Sequence, residues 1–269
     1  MSKLSRRLSP APAHLQASFE DLVAEAASAP VDGWEFSWLD GRATEERPSW
    51  GYARTIAAQM ERAGATLDVE TGGGELLAEV LSRVVDPPIA IAATEGWAPN
   101  VEHARRNLRR FGVGVVGAAD GHDLPFRSGS FDLIVSRHPI TVQWAEIARA
   151  LRPGGTYLSQ QVGAGSNREL TDFMMGPQEV GEARSSSRAA EGAEGAGLTV
   201  VDLREETLRT EFADVGAVVY FLRKVPWTVP GFTVDAYRSQ LGQLQDRIRR
   251  EGPFVAHSRR FLIEATKPV

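Results

Sequence analysis

Residues 65–75 read ATLDVETGGGE, and the fold of the whole chain turns on them. A short apolar run, Leu67-Asp68-Val69, is followed by Gly72, Gly73 and Gly74, and then by an apolar helical pattern starting at Leu76. This is the punctuation of a buried parallel strand turning sharply into a helix, with glycines where Cβ atoms would block the approach of a ligand or a neighbouring backbone. Taken alone, the stretch predicts only a nucleotide-like ligand at a strand end.

Upstream, residues 48–63 read as a helix with Pro48 near its start, Tyr52, Ile56 and Met60 on one face, and Gly64 closing it. Trp34, Phe36, Trp38 and Trp50 crowd the segment before it and either pack the leader on the core or line the mouth of a pocket. Residues 14–29 suit a helix carrying Leu15, Phe19, Leu22 and Val23 on one face, and residues 1–12 a loose leader.

Downstream, Leu76, Leu77, Val80, Leu81 and Val84 make the apolar face of a helix that stops at Pro87-Pro88. Apolar strands follow at 89–93, 113–118, 131–136 and 156–161, with a helix over 100–110 and another closing at 147–151. Strands apolar along their whole length and alternating with helices argue a parallel sheet covered on both faces. Ligands in such sheets bind beyond the carboxyl ends of the strands, where Gly72, Glu95 and Asp120 all fall. Past Gly163 the pattern predicts one helix over about 177–197, a strand over 198–203, a helix over 214–225 capped by Asp214, an amphipathic helix over 234–251 and a last strand over 260–267.

Thirty basic residues against thirty-five acidic give a net charge of −5, a field that favours neither nucleic acid nor an anionic membrane. The chain lacks cysteine, which removes disulfides, thiolate metal sites and a cysteine nucleophile. No apolar h-region follows Lys3, Arg6 and Arg7, and no apolar run approaches a membrane span, so a soluble cytoplasmic protein is expected. The histidines at 14, 103, 122, 138 and 257 form no short-spaced ligand pair, so no metal site is expected.

The carboxylate of Glu95, about twenty residues past the glycine turn, either suits the two hydroxyls of a ribose, where it would repel a phosphate, or is a helix cap or surface charge. Asp120 is placed to accept from an exocyclic amine or to make an Asx turn before Gly121, with Leu124 offering an apolar face to a purine. Trp97 either covers an adenine ring or lids a helix start. A pyrophosphate loop wants G-x-G-x-x-G, but Leu77 stands at the third glycine, and Glu70 and Glu75 add negative charge that suits a cationic ligand instead.

These segments, LDVETGGGE, ATEGWAPNVEHARRNL, AADGHDLPFRSGSFDLIVSRH and EIARALRPGGTYL, together resemble the class I S-adenosylmethionine-dependent methyltransferases over residues 66–163. The resemblance implies a Rossmann-like α/β fold with a seven-stranded, mainly parallel sheet. It divides the chain into an N-terminal helical extension (1–47) and a methyltransferase domain (48–269) with a substrate-side insertion at about 226–253. It also implies that Gly72 and Gly74 lie under the methionine part of S-adenosyl-L-methionine, that Glu95 holds the ribose, that Asp120 faces the adenine amine with Leu124 nearby, and that Ser136, Arg137 and His138 line the opening to the acceptor. His122 is a hydrogen-bonder of the cofactor pocket or a base, and His138 is the candidate catalytic base or a packed histidine. Arg137 either binds an acidic substrate or pairs with Glu70 or Asp123.

One departure stands out: the family's D-x-G-x-G-x-G is here D-x-E-x-G-x-G, with Glu70 at the first glycine. That residue either disturbs the turn or sits near the cofactor's positive charge and favours it. The expected activity is methyl transfer to an O, N or C atom of a small organic molecule. Methylation of RNA, suggested by Arg247, Arg249, Arg250, Arg259 and Arg260, and a non-catalytic cofactor-binding role are the alternatives.

Overall fold

The computed structural model describes residues 17–31, 36–118 and 122–269. Among the described residues, eight strands form one sheet: β1 (Ala43–Glu45), β2 (Ala65–Val69), β3 (Ala90–Glu95), β4 (Gly114–Gly117), β5 (Phe131–Arg137), β6 (Leu151–Val162), β7 (Thr199–Phe212) and β8 (Phe254–Thr266). Their order is β1-β7-β8-β6-β5-β2-β3-β4. The half from β6 to β4 is parallel, while β8, β7 and β1 are joined antiparallel. The expected Rossmann-like α/β architecture is observed, with β1 as an eighth, edge strand.

Nine helices accompany these strands: α1 (Phe19–Ser28), α2 (Tyr52–Met60), α3 (Glu75–Leu81), α4 (Ala98–Leu108), α5 (Trp144–Ala150), α6 (Arg168–Met175), α7 (Ser186–Gly195), α8 (Val215–Lys224) and α9 (Arg238–Glu251), counted among the described residues. Strand alternation sorts the core into two layers. Leu133 and Val135 of β5 pack with Met60, Leu77 and Leu108 of α2, α3 and α4, whereas Ile134 packs with Ile147 of α5 and Ala193 of α7. At the amino ends of the paired strands, Asp132 Oδ2 accepts from the backbone N–H groups of Gly64 (3.0 Å) and Ala65 (2.8 Å), which locks β2 beside β5.

A third core lies apart from the parallel strands. β6 pairs with β8 only from Thr156↔Thr266 to Val162↔Arg260, but β7 follows β8 on to Phe212↔Phe254, so this ribbon overhangs the carboxyl end of β6. Beneath the overhang, Leu22, Leu170, Phe212, Val218, Leu222 and Leu244 bring α1, α6, α8 and α9 together. Asp214 caps α8 by accepting from the Ala217 N–H at 2.8 Å, as its sequence position predicts. α1 crosses α8 so closely that a Cβ on Gly216 would lie 2.9 Å from the Leu22 carbonyl oxygen.

Several boundaries differ from expectation, each for a local reason. The single helix expected over 177–197 is a loop, a 3₁₀ turn at Glu182–Arg184 and then α7, because Ser185 caps α7 by accepting from the Arg188 N–H. β7 and β8 are longer than expected: β7 continues past Leu203 through Arg204, Glu205, Glu206 and Arg209, and β8 begins at Phe254. α6, not foreseen, follows Asn167. Ile89, expected to begin β3, lies outside it and is almost wholly exposed.

Candidate functional site

The strand order reverses between β2 and β5: the chain runs outward through β3 and β4 on one side and through β6 on the other. This switch point is where open α/β sheets leave a crevice. Two non-glycine residues with positive φ stand at it. Glu70 (φ 56°) follows β2, and His138 (φ 55°) follows β5, while Val69 and Ser136 are register partners in those strands. Such backbone costs about 1 kcal/mol or more for a residue with a Cβ and persists where its surroundings hold it.

Glu70 is held by its own carboxylate. Its Oε2 accepts from the Ile140 N–H at 2.7 Å, a charge-assisted bond tying the end of β2 to the loop after β5. The glycine turn follows, with Gly72 (φ 63°) and Gly74 (φ 78°) both in the left-handed region. Gly74 also admits α4, since a Cβ there would lie 2.9 Å from the Leu108 side chain and 3.3 Å from Ala104 Cα.

Glu95 ends β3 with a carboxylate turned onto this turn. Its Oε2 accepts from the Gly72 N–H at 2.8 Å and its Oε1 from the Trp97 N–H at 2.9 Å. It therefore joins the glycine loop to the start of α4, and it is 8% exposed. Trp97 itself is 46% exposed, beside the loop rather than buried under it. Below them, Asp68 accepts from Thr71 Oγ1 at 2.6 Å. Burial, with Glu95's charge adding and the Thr71 bond opposing, pushes the Asp68 carboxyl up to about 7.

A narrow cleft of about 30 Å³ opens between the β2 and β5 ends, lined by Val69, Glu70, Leu124, Ser136, Tyr157 and Pro139 and Thr141 of the loop after β5. Leu124 is fixed from below: its N–H donates to Glu146 Oε2 (2.8 Å) and its carbonyl accepts from Arg149 (3.0 Å). The Arg149 hydrogen bonds hold the Glu146 carboxyl below its ordinary range. Ser136 is buried, its Oγ 2.7 Å from Tyr157 Oη and 2.9 Å from Ser159 Oγ. Burial pushes the Tyr157 phenol up to about 12, and the Tyr52 phenol, bonded to the Ser136 carbonyl at 2.5 Å, well above its usual value.

Glu70, Gly72, Gly74, Glu95, Leu124, Ser136 and His138 are thus gathered around one switch point. His122 is exposed at the side, its carbonyl accepting from Gln143 Nε2 at 2.9 Å. Asp120 lies outside the described residues, as do Trp34 and the leader 1–12. His257 is tied by Nδ1 to Glu169 Oε1 at 2.6 Å. Sequence reasoning passed over Asp68 and Gln160, and took Trp50 only as leader packing or a pocket mouth. Trp50 carried a signal in its aromatic neighbourhood, whereas nothing in QQ at 160–161 separated Gln160 from a solvated strand end.

The arginines read as one basic cluster divide between two elements. Arg247 and Arg250 of α9 pair with Glu251, and Arg260 of β8 pairs with Glu45.

Residues 67–159 match a protein family described as a methyltransferase domain. Malonyl-acyl-carrier-protein O-methyltransferase of Geobacter sulfurreducens is 35% identical over 112 residues, covering 39% of this chain and 40% of that protein. The similarity therefore spans about two fifths of that relative's length. Among solved structures, the YcgJ protein of Bacillus subtilis superposes with a TM-score of 0.57 at 20% identity, over 81% of this chain and 98% of that one. A Bacillus halodurans C-125 protein, provisionally described as a methyltransferase, gives 0.56 at 18% identity, over 82% and 99%. These two likenesses carry the fold, and the family match bears out the class I methyltransferase resemblance.

Proposed function

We propose that this chain, whose residues 67–159 carry the methyltransferase domain of that family, transfers a methyl group from S-adenosyl-L-methionine to a small organic acceptor. The observation that carries the proposal is the acidic switch point: Asp68, Glu70 and Glu95 surround a glycine turn at the ends of β2 and β3. The carboxylates of Glu70 and Glu95 there would repel a pyrophosphate and suit a ligand with a cationic centre, while Asp68 below them holds a proton up to about pH 7. The Glu95 carboxylate also suits the cofactor's ribose, since a carboxylate offers about four acceptor sites for vicinal hydroxyls.

The bound cofactor supplies an electrophilic methyl group on a positively charged sulfur, so the protein's task is alignment and exclusion of water. In this reading, Gly72 and Gly74 let the ligand approach the backbone and Glu95 orients it. Leu124 offers an apolar surface, and Ser136, with its hydroxyl committed to Tyr157 and Ser159, shapes the floor. In the same reading α1, from the N-terminal extension, and α9, from the segment 226–253, belong to the acceptor-side cover. No helix among the described residues is long and apolar enough to cross a membrane, and a cytoplasmic site of action is part of this proposal.

Titration calorimetry with S-adenosylmethionine and S-adenosylhomocysteine tests the reading. Micromolar association is expected, and no detectable heat at millimolar ligand would sink it. Cofactor binding without labelled product across a broad acceptor screen would favour the non-catalytic alternative.

A further inference from the structure

The carboxyl ends of β5 and β6 hold a hydrogen-bond chain whose direction is fixed by chemistry. An indole N–H donates and cannot accept. Trp50 Nε1 lies 2.8 Å from Gln160 Oε1, so that amide atom is the accepting oxygen and Gln160 Nε2 is left as a donor. Gln160 Nε2 lies 3.1 Å from His138 Nε2, which must therefore accept. The proton of the neutral imidazole then sits on Nδ1.

Trp50 and Gln160 are both buried, and the main chain repeats the latch, because the His138 N–H donates to the Gln160 carbonyl at 2.7 Å. His138 thus combines left-handed backbone, a fixed tautomer and two bonds to one residue. Burial, then the charges of Arg137 and Arg260, hold its imidazole well below the ordinary range, so it stays neutral at neutral pH. With its Nε2 lone pair engaged and its Nδ1 protonated, the ring is a donor and not a base.

Nδ1 of His138 makes no hydrogen bond among the described residues. Neither does the exposed guanidinium of Arg137, which forms no ion pair among them and whose charge is felt at His138, Tyr52 and Arg260. Arg260, by contrast, is occupied by Glu45 and by Ser166 Oγ (3.2 Å). We propose that Arg137 and the Nδ1–H of His138, held in that tautomer by Gln160 and Trp50, bind a carboxylate carried by the methyl acceptor. A carboxylate only accepts, and two donors, one of them cationic, match it while rejecting an ammonium group. Gln160 and Trp50 are positioning residues acting through His138. The assignment rests on reading this end of the sheet as the acceptor side.

The test uses the full chain labelled with nitrogen-15, with S-adenosylhomocysteine at saturating concentration where it binds. Imidazole nitrogen spectra are expected to show His138 neutral and protonated on Nδ1. Acetate is expected to move the Nδ1–H resonance, and methylammonium at equal ionic strength to leave it unmoved. Arg137→Gln should weaken the apparent acetate affinity about tenfold, the loss of one charge-assisted hydrogen bond. Gln160→Glu, which can accept from both neighbours, should transfer the proton to Nε2 and abolish the acetate response. A wild-type ring protonated on Nε2, no acetate shift, or an equal shift with methylammonium overturns the proposal. Because the tautomer and acetate experiments run equally on the ligand-free chain, failure to bind S-adenosylhomocysteine sinks the methyl-transfer reading separately.

Discussion

Replacing Asp68 with asparagine should change how the protein's stability responds to pH. In the folded chain burial drives this carboxyl up to about 7, against a reference value of 3.8 in the unfolded chain. Between those values the native state keeps a proton that the unfolded state has lost. Stability from this group is therefore fully present below about pH 4 and is lost as pH rises through about 7. A shift of roughly three units corresponds to about 4 kcal/mol at about 1.4 kcal/mol per unit. Asparagine does not titrate, and its side-chain oxygen can still accept from the Thr71 hydroxyl that now lies 2.6 Å from Asp68 Oδ2. The stability of Asp68→Asn minus that of wild type should thus rise by about 4 kcal/mol between about pH 4 and pH 8. Urea unfolding at a series of pH values, with the midpoint read at unchanged denaturant slope, measures that difference. A difference constant within about 1 kcal/mol, or one that falls with pH, refutes the buried, proton-holding carboxyl.

The remaining predictions concern single contacts. Glu95→Ala should weaken S-adenosylmethionine binding at least about tenfold, and more than His138→Ala does, because only Glu95 links the glycine turn to the start of α4; equal affinities measured by calorimetry would refute the ribose assignment. Glu70→Gly relieves about 1 kcal/mol of left-handed strain but forfeits about 2 kcal/mol of charged hydrogen bond to Ile140, so a small net loss of stability is expected. A clear rise in its melting temperature would show that the bridge contributes nothing. Gly216→Ala should cost about 1–3 kcal/mol by forcing α1 from α8, checked by chemical denaturation, and an unchanged midpoint would mean that the crossing is slack.

The parallel half of the sheet was legible because its strands are apolar throughout and are separated by glycine and proline turns. The glycine turn and Glu95 were legible for the same reason, as strand-end residues at a recognisable offset. The antiparallel ribbon was not, since β7 just beyond Leu203 carries charges on both faces, at Arg204, Glu205 and Glu206, and so lacks the apolar alternation that marks a strand. Glu70 was visible as a departure, but its compensation was not: the carboxylate that replaces a glycine's freedom reaches Ile140, seventy residues away in sequence. The relay from Trp50 through Gln160 to His138 spans a comparable distance, and no local periodicity encodes it.

The overhanging ribbon ties segments far apart in the sequence into one late event. β2 through β6 are contiguous enough in sequence to assemble while the rest of the chain is still being synthesised, and they already contain the glycine turn and Glu95. The cover under the ribbon instead needs α1 together with α8, α9 and the start of β8, which follow it by roughly two hundred residues. α1 therefore waits, with Leu22 and Val23 unburied, until more than two hundred further residues have emerged. The half that carries the glycine turn can thus form before its cover, and α1 is a segment long exposed to mispairing or to a chaperone.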